Sequence, residues 1–96
     1  MFRIIQVPTS SGIILNIDGQ LTREYAQFAD EYCSALLGEG IQLNVVLRDV
    51  SVVDEVGKAF LAGLASQGVH IRANGVYMTY LLDEIRHTAS DANSLP

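Results

Sequence analysis

The residues best placed to do chemistry in this chain are Asp54-Glu55-Val56-Gly57. They follow an apolar, β-rich run, Asn44 to Val50, and open a segment of helical spacing from about Glu55 to Gln67. A strand-to-helix junction carries unbonded backbone N–H groups and the positive end of a helix dipole, so it suits a carboxylate or a phosphate. Asp54 reads as the N-cap of that helix, and Glu55 is favoured in its first turn. Thr22 and Ser51 supply hydroxyls near the same strand ends. No nucleophile elbow, P-loop or dinucleotide-binding glycine pattern occurs, and no carboxylate pair stands out as general acid and base. His70 and His87 have no companion cysteine or carboxylate at ligand spacing, so no metal and no cofactor is expected. Cys33 lies on an apolar helical stripe and reads as packing. The expected chemistry is recognition, without catalysis.

Composition narrows the partners. A chain of 96 residues fits one domain with one modest core, and its 49% apolar content opposes disorder. The net charge of -5, with six basic residues scattered along the chain, argues against nucleic acid. No apolar run approaches the ~20 residues that span a bilayer, and no signal peptide is visible, so membrane insertion is not expected. A single cysteine fits a reducing cytoplasm, which is the expected location.

These residues need elements to position them. Phe2 to Val7 and Ile13 to Ile17 alternate as strands joined by Pro8-Thr9-Ser10-Ser11-Gly12, which predicts an antiparallel hairpin. Gly19-Gln20-Leu21-Thr22 ends the second strand, with Thr22 as a helix N-cap. Tyr25, Phe28, Ala29, Tyr32, Cys33, Leu36 and Leu37 recur at helical spacing, closed by Gly38 and Gly40. Asn44 to Val50 predicts a central strand, and Ser51 a loop after it. Val56, Phe60, Leu61, Leu64 and Ala65 mark the second helix, and Val69, Ile71 and Ala73 a half-wet fourth strand. Tyr77, Met78, Leu81, Leu82 and Ile85 mark a third helix; if Tyr77, Leu81 and Ile85 face the sheet, Thr79 and Tyr80 turn outward. The order β-β-α-β-α-β-α predicts an α/β domain over 1–86 with a four-stranded mixed sheet and a flexible tail over 87–96. Polar alternation in the second and fourth strands predicts helices mainly on one face.

That architecture, the Gly19-Gln20-Leu21-Thr22 turn and the run Val52-Val53-Asp54-Glu55-Val56-Gly57 resemble a STAS domain over roughly residues 2–86. This is the family of anti-sigma factor antagonists and sulfate-transporter tails. In its switching members the serine directly before the junction glycine is phosphorylated by a partner kinase. Here that position is Val56, which has no hydroxyl. The resemblance implies a non-catalytic regulatory module that binds a kinase-like anti-sigma factor or a stress-signalling complex. It implies a contact surface at Thr22, Asp54, Glu55, Val56, Gly57 and Lys58. Phosphorylation then falls on Thr22 or Ser51 if it occurs at all, and Glu55 can act as a fixed negative charge.

Two other readings stay open. Some stand-alone domains that look like STAS bind the ATPase subunit of a lipid-transporting ABC complex, and these tolerate loss of the serine. The junction amides also suit a small anion or ligand carrier, although Asp49, Asp54 and Glu55 would repel the anion. The wetter sheet face is open to solvent, to the tail or to a second copy, which would make a homodimer.

Overall fold

A computed structural model describes the backbone of residues 2–94 and side chains as far as His87. Four strands and three helices alternate as β1 (Arg3–Pro8), β2 (Ile13–Leu21), α1 (Arg23–Gly38), β3 (Leu43–Val53), α2 (Glu55–Ser66), β4 (His70–Ala73) and α3 (Val76–Ser94). The strands form one mixed sheet in the order β1-β2-β3-β4. β1 and β2 are an antiparallel hairpin, and β2, β3 and β4 run parallel. The α/β class, element order and mixed sheet expected from the sequence are what the chain adopts.

The core lies on one sheet face. Leu15 and Ile17 of β2, Val45 and Leu47 of β3 and Ile71 of β4 are buried against Ala26, Ala29 and Cys33 of α1, Phe60, Leu61 and Leu64 of α2, and Leu81 and Leu82 of α3. Their neighbours Asn16, Val46 and Arg72 point to the other, helix-free face. There Asp18 of β2 accepts from Arg3 of β1 (Nη2, 3.1 Å) and from Arg48 of β3 (Nε, 3.1 Å). The Arg48 hydrogen bonds, then those of Arg3, hold its carboxyl below the ordinary value of 3.8 despite partial burial. Cys33 is buried, and desolvation with help from Asp30 pushes its thiol up to about 12. It is a small packing group, because a thiol of that pKa carries almost no thiolate near neutrality.

Several details depart from the sequence reading. β3 runs to Val53, three residues beyond Val50, because β2 stays paired with it through two register shifts as far as Leu21 and Val53. Ser51 is therefore an exposed strand residue and not a loop hydroxyl. In α3 the buried set is Met78, Leu81, Leu82 and Ile85, whereas Tyr77 is 58% exposed and does not face the sheet. The segment read as a flexible tail, 87–96, ends outside the described residues; as far as Ser94 its backbone continues α3.

Candidate functional site

Parallel β2 and β3 each lead directly into a helix, so the N-termini of α1 and α2 lie side by side at the carboxyl end of the sheet. That end is where open α/β sheets generally present their sites. Asp54 leaves β3 in an extended conformation (φ -93°, ψ -171°) as the N-cap of α2. Its Oδ1 accepts from the Gly57 amide at 2.9 Å. Its Oδ2 accepts from the Arg23 amide, the first residue of α1, at 3.0 Å. One carboxylate thus joins the starts of two helices. It receives two orphan amides and the positive ends of two dipoles. The Gly57 hydrogen bond, then that of Arg23, holds the Asp54 carboxyl below its ordinary 3.8 against a smaller opposing cost of desolvation. It is ionised at neutral pH.

The α1 side is arranged to meet it. Thr22 stands at the N-cap position with extended backbone, but its hydroxyl makes no capping bond. The cap expected of Thr22 is made across 31 residues by Asp54. Arg23 takes φ +43°, a left-handed conformation uncommon outside glycine, asparagine and aspartate. This strained residue carries the amide that reaches Asp54. A sequence of separate helical segments holds no signal for such a link.

Gly57 completes the junction. It is buried, and a Cβ built there would stand 2.1 Å from the Leu21 carbonyl oxygen and 2.8 Å from Val53 Cγ1. The same carbonyl accepts weakly from the Asp54 amide at 3.4 Å. Only a residue without a side chain lets the first turn of α2 lie against the end of β2.

Around this fixed centre the surface is mixed. Val56 is 45% exposed and Val52, at the end of β3, is 44% exposed. Glu55 points into solvent and meets Lys58 at 3.5 Å, an i,i+3 surface pair of little energetic weight. Beyond them a shallow groove of about 360 Å³ runs between α2 and α3, lined by Ala59, Ala62, Leu81 and Ile85 with Glu55, Lys58 and Glu84. Of the residues expected at the site, Thr22, Asp54, Glu55, Val56, Gly57 and Lys58 share this corner of the fold. Ser51 lies on the adjoining stretch of β3. Among the described residues no group of three or more His, Cys, Asp or Glu could hold a metal ion, and no helix is long and apolar enough to cross a membrane.

The arrangement holds no activated nucleophile. The Gly57 and Arg23 amides already hold Asp54, so a free anion at those two amides would have to displace an internal one. What remains available is a hydrogen-bonded corner that exposes Val52 and Val56 near the Glu55–Lys58 pair. No family model matches the chain, and no curated protein matches it in sequence.

Proposed function

We propose that this chain is a non-catalytic regulatory module of the kind the STAS resemblance implies, binding a protein partner through the Asp54 corner. The observation that carries this reading is the double hydrogen bond of Asp54 to Gly57 and Arg23, which braces the start of two helices under exposed Val52 and Val56. Rigid apolar groups within a polar rim suit protein–protein contact, since a preorganised surface loses little entropy on binding. A carrier of small anions is disfavoured by the carboxylate already seated on the amides.

The partner class that the resemblance implies is a kinase-like ATPase of an anti-sigma or stress-signalling system. With valine before the junction glycine, contact at this corner is not released by phosphate at position 56. Thr22, whose hydroxyl makes no capping bond, is the group positioned to modulate it. A phosphate there would bring a second anion beside Asp54, competing for the same helix start.

Affinity capture from the producing cells tests the reading. Val56→Asp puts a charge on an exposed position in the first turn of α2, where the helix dipole tolerates it. The expected result is one ATPase captured by the wild type and lost from a folded Val56→Asp protein. Capture of the same proteins by both, or of an ABC-transporter ATPase in place of a regulatory one, would overturn it.

A further inference from the structure

A second surface adjoins the Asp54 corner and runs along α1 where that helix flanks the edge strand β1. Of three phenylalanines and four tyrosines in the chain, two of each gather there: Phe2, Phe28, Tyr25 and Tyr32. Phe2 stacks on Tyr25 with centroids 5.2 Å apart, meets Phe28 edge-on at 6.4 Å, and Phe28 tilts against Tyr32 at 6.1 Å. The Tyr32 hydroxyl donates to Gln6 Oε1 at 2.7 Å, tying the strip to β1. These rings are not the core of α1, which is Ala26, Ala29 and Cys33. Tyr25 is 44% and Phe28 52% exposed, while Phe2 and Tyr32 are half-buried against the core, so Tyr25 and Phe28 carry the exposed part of the strip. A contiguous apolar patch of rigid rings marks an interaction site more often than scattered exposure does.

Its charges say what fits. Glu24 and Glu31 lie four residues before and three after Phe28, which sets both beside that ring on the outer flank of α1. Both are exposed, and neither joins an ion pair among the described residues. On the β1 flank, the Arg3 guanidinium is engaged by Asp18. Arg23, at the start of α1, acts on the Asp54 carboxylate, which its charge helps to keep ionised. The ring faces themselves attract cations. Carboxylates and π faces therefore favour the same partner chemistry. A symmetric dimer would press the strip against itself and bring Glu24 and Glu31 of both copies together, which disfavours a second copy. Polyanions and acidic membranes meet the same repulsion.

We infer that this strip docks a cationic amphipathic segment of another protein, with apolar anchors against Tyr25 and Phe28 and lysine or arginine against Glu24, Glu31 and the ring faces. Its first turn adjoins the Asp54 corner, since Glu24 and Tyr25 follow Arg23, but Phe28 and Tyr32 lie further along α1, so the two surfaces can be tested separately.

The test is selection of a randomised peptide library on the folded protein, followed by amide shift mapping with a synthetic copy of the peptide most enriched. The expected peptide combines Arg or Lys with large apolar residues and perturbs amides around Phe2, Tyr25, Phe28 and Tyr32. Its affinity should fall by at least ~10-fold in Phe28→Ser and in Glu24→Lys/Glu31→Lys. It should be unchanged in Tyr80→Ser, which removes a still more exposed ring on α3. Enrichment of acidic or uncharged peptides, no enrichment at all, or binding that survives Phe28→Ser would overturn the inference. So would a dimer in sedimentation that Phe28→Ser dissolves.

Discussion

Gly57→Val should be the most damaging single substitution at the junction, while Gly63→Ala in the same helix should raise stability. Both glycines lie in α2, where replacing glycine by alanine ordinarily gains ~0.5–1 kcal/mol of backbone entropy. Gly63 has nothing within 4 Å of a built Cβ, so that gain is expected in full. At Gly57 the first added carbon would stand 2.1 Å from a backbone oxygen, which cannot rotate away as a side chain can. Relief requires α2 to lift from the end of β2, breaking the Gly57 amide's bond to Asp54 as it moves. Overpacking of a rigid site costs about 1–3 kcal/mol and sometimes more, and valine's branching puts the expected loss near the top of that range. For a domain of this size that is a fall in Tm of roughly 10–20 °C. Thermal unfolding of the two variants beside wild type checks the pair. A Gly57→Val protein as stable as wild type would show that α2 does not start against β2 as described.

Asp54→Ala should loosen two helices at once. The carboxylate accepts from Gly57 at the start of α2 and from Arg23 at the start of α1, so its loss leaves an orphan amide on each. Hydrogen exchange should quicken at both amides, although they lie 34 positions apart in the chain. Asp54→Asn separates the two contributions, because an amide side chain keeps one acceptor oxygen and turns a donor toward the other helix. The same group sets a pH dependence. Its folded pKa lies below the ordinary 3.8. It therefore adds stability that is full above the unfolded value and is lost as pH falls through the folded one. Wild type should lose stability below about pH 4, with a shallower acid limb in Asp54→Asn. Asp18, held low by Arg48 and Arg3, supplies a further acid-labile part that the variant retains. Acid limbs of equal slope in the two proteins would contradict the bridge.

The order of elements and the cap at Asp54 were readable because each is local. Alternation in Ile13 to Ile17 and helical spacing from Phe60 to Leu64 follow directly from which face each residue buries. An aspartate three residues before a glycine after a β-rich run carries its own helix start. Properties that depend on two distant segments were not readable. Asp54 reaches Arg23 only because β2 and β3 end side by side, and the left-handed backbone of Arg23 appears only once that neighbour is known. The end of β3 at Val53 is set by its pairing with Leu21, so Ser51 falls inside a strand despite following Asp49. Helical spacing also fixes a stripe but not its centre. Tyr25 and Phe28 recur with the buried Ala29 and Cys33, yet sit at the margin, where Phe2, just before β1, gives them a ring to pack on instead of a core. Tyr77 fails for the same reason: the stripe of α3 is centred on Met78, Leu81 and Leu82.

The central claim is that the Asp54 corner is a protein-contact surface, and site-specific photo-cross-linking at position 56 tests it most directly. A photoreactive side chain in place of exposed Val56 leaves the buried junction intact, and the same group at exposed Gln67, at the other end of α2, serves as the comparison. Irradiation in the producing cells should join position 56 to one protein, an ATPase of the regulatory kind, with no such product from position 67. A protein captured equally from both positions, or none from position 56, would contradict the account.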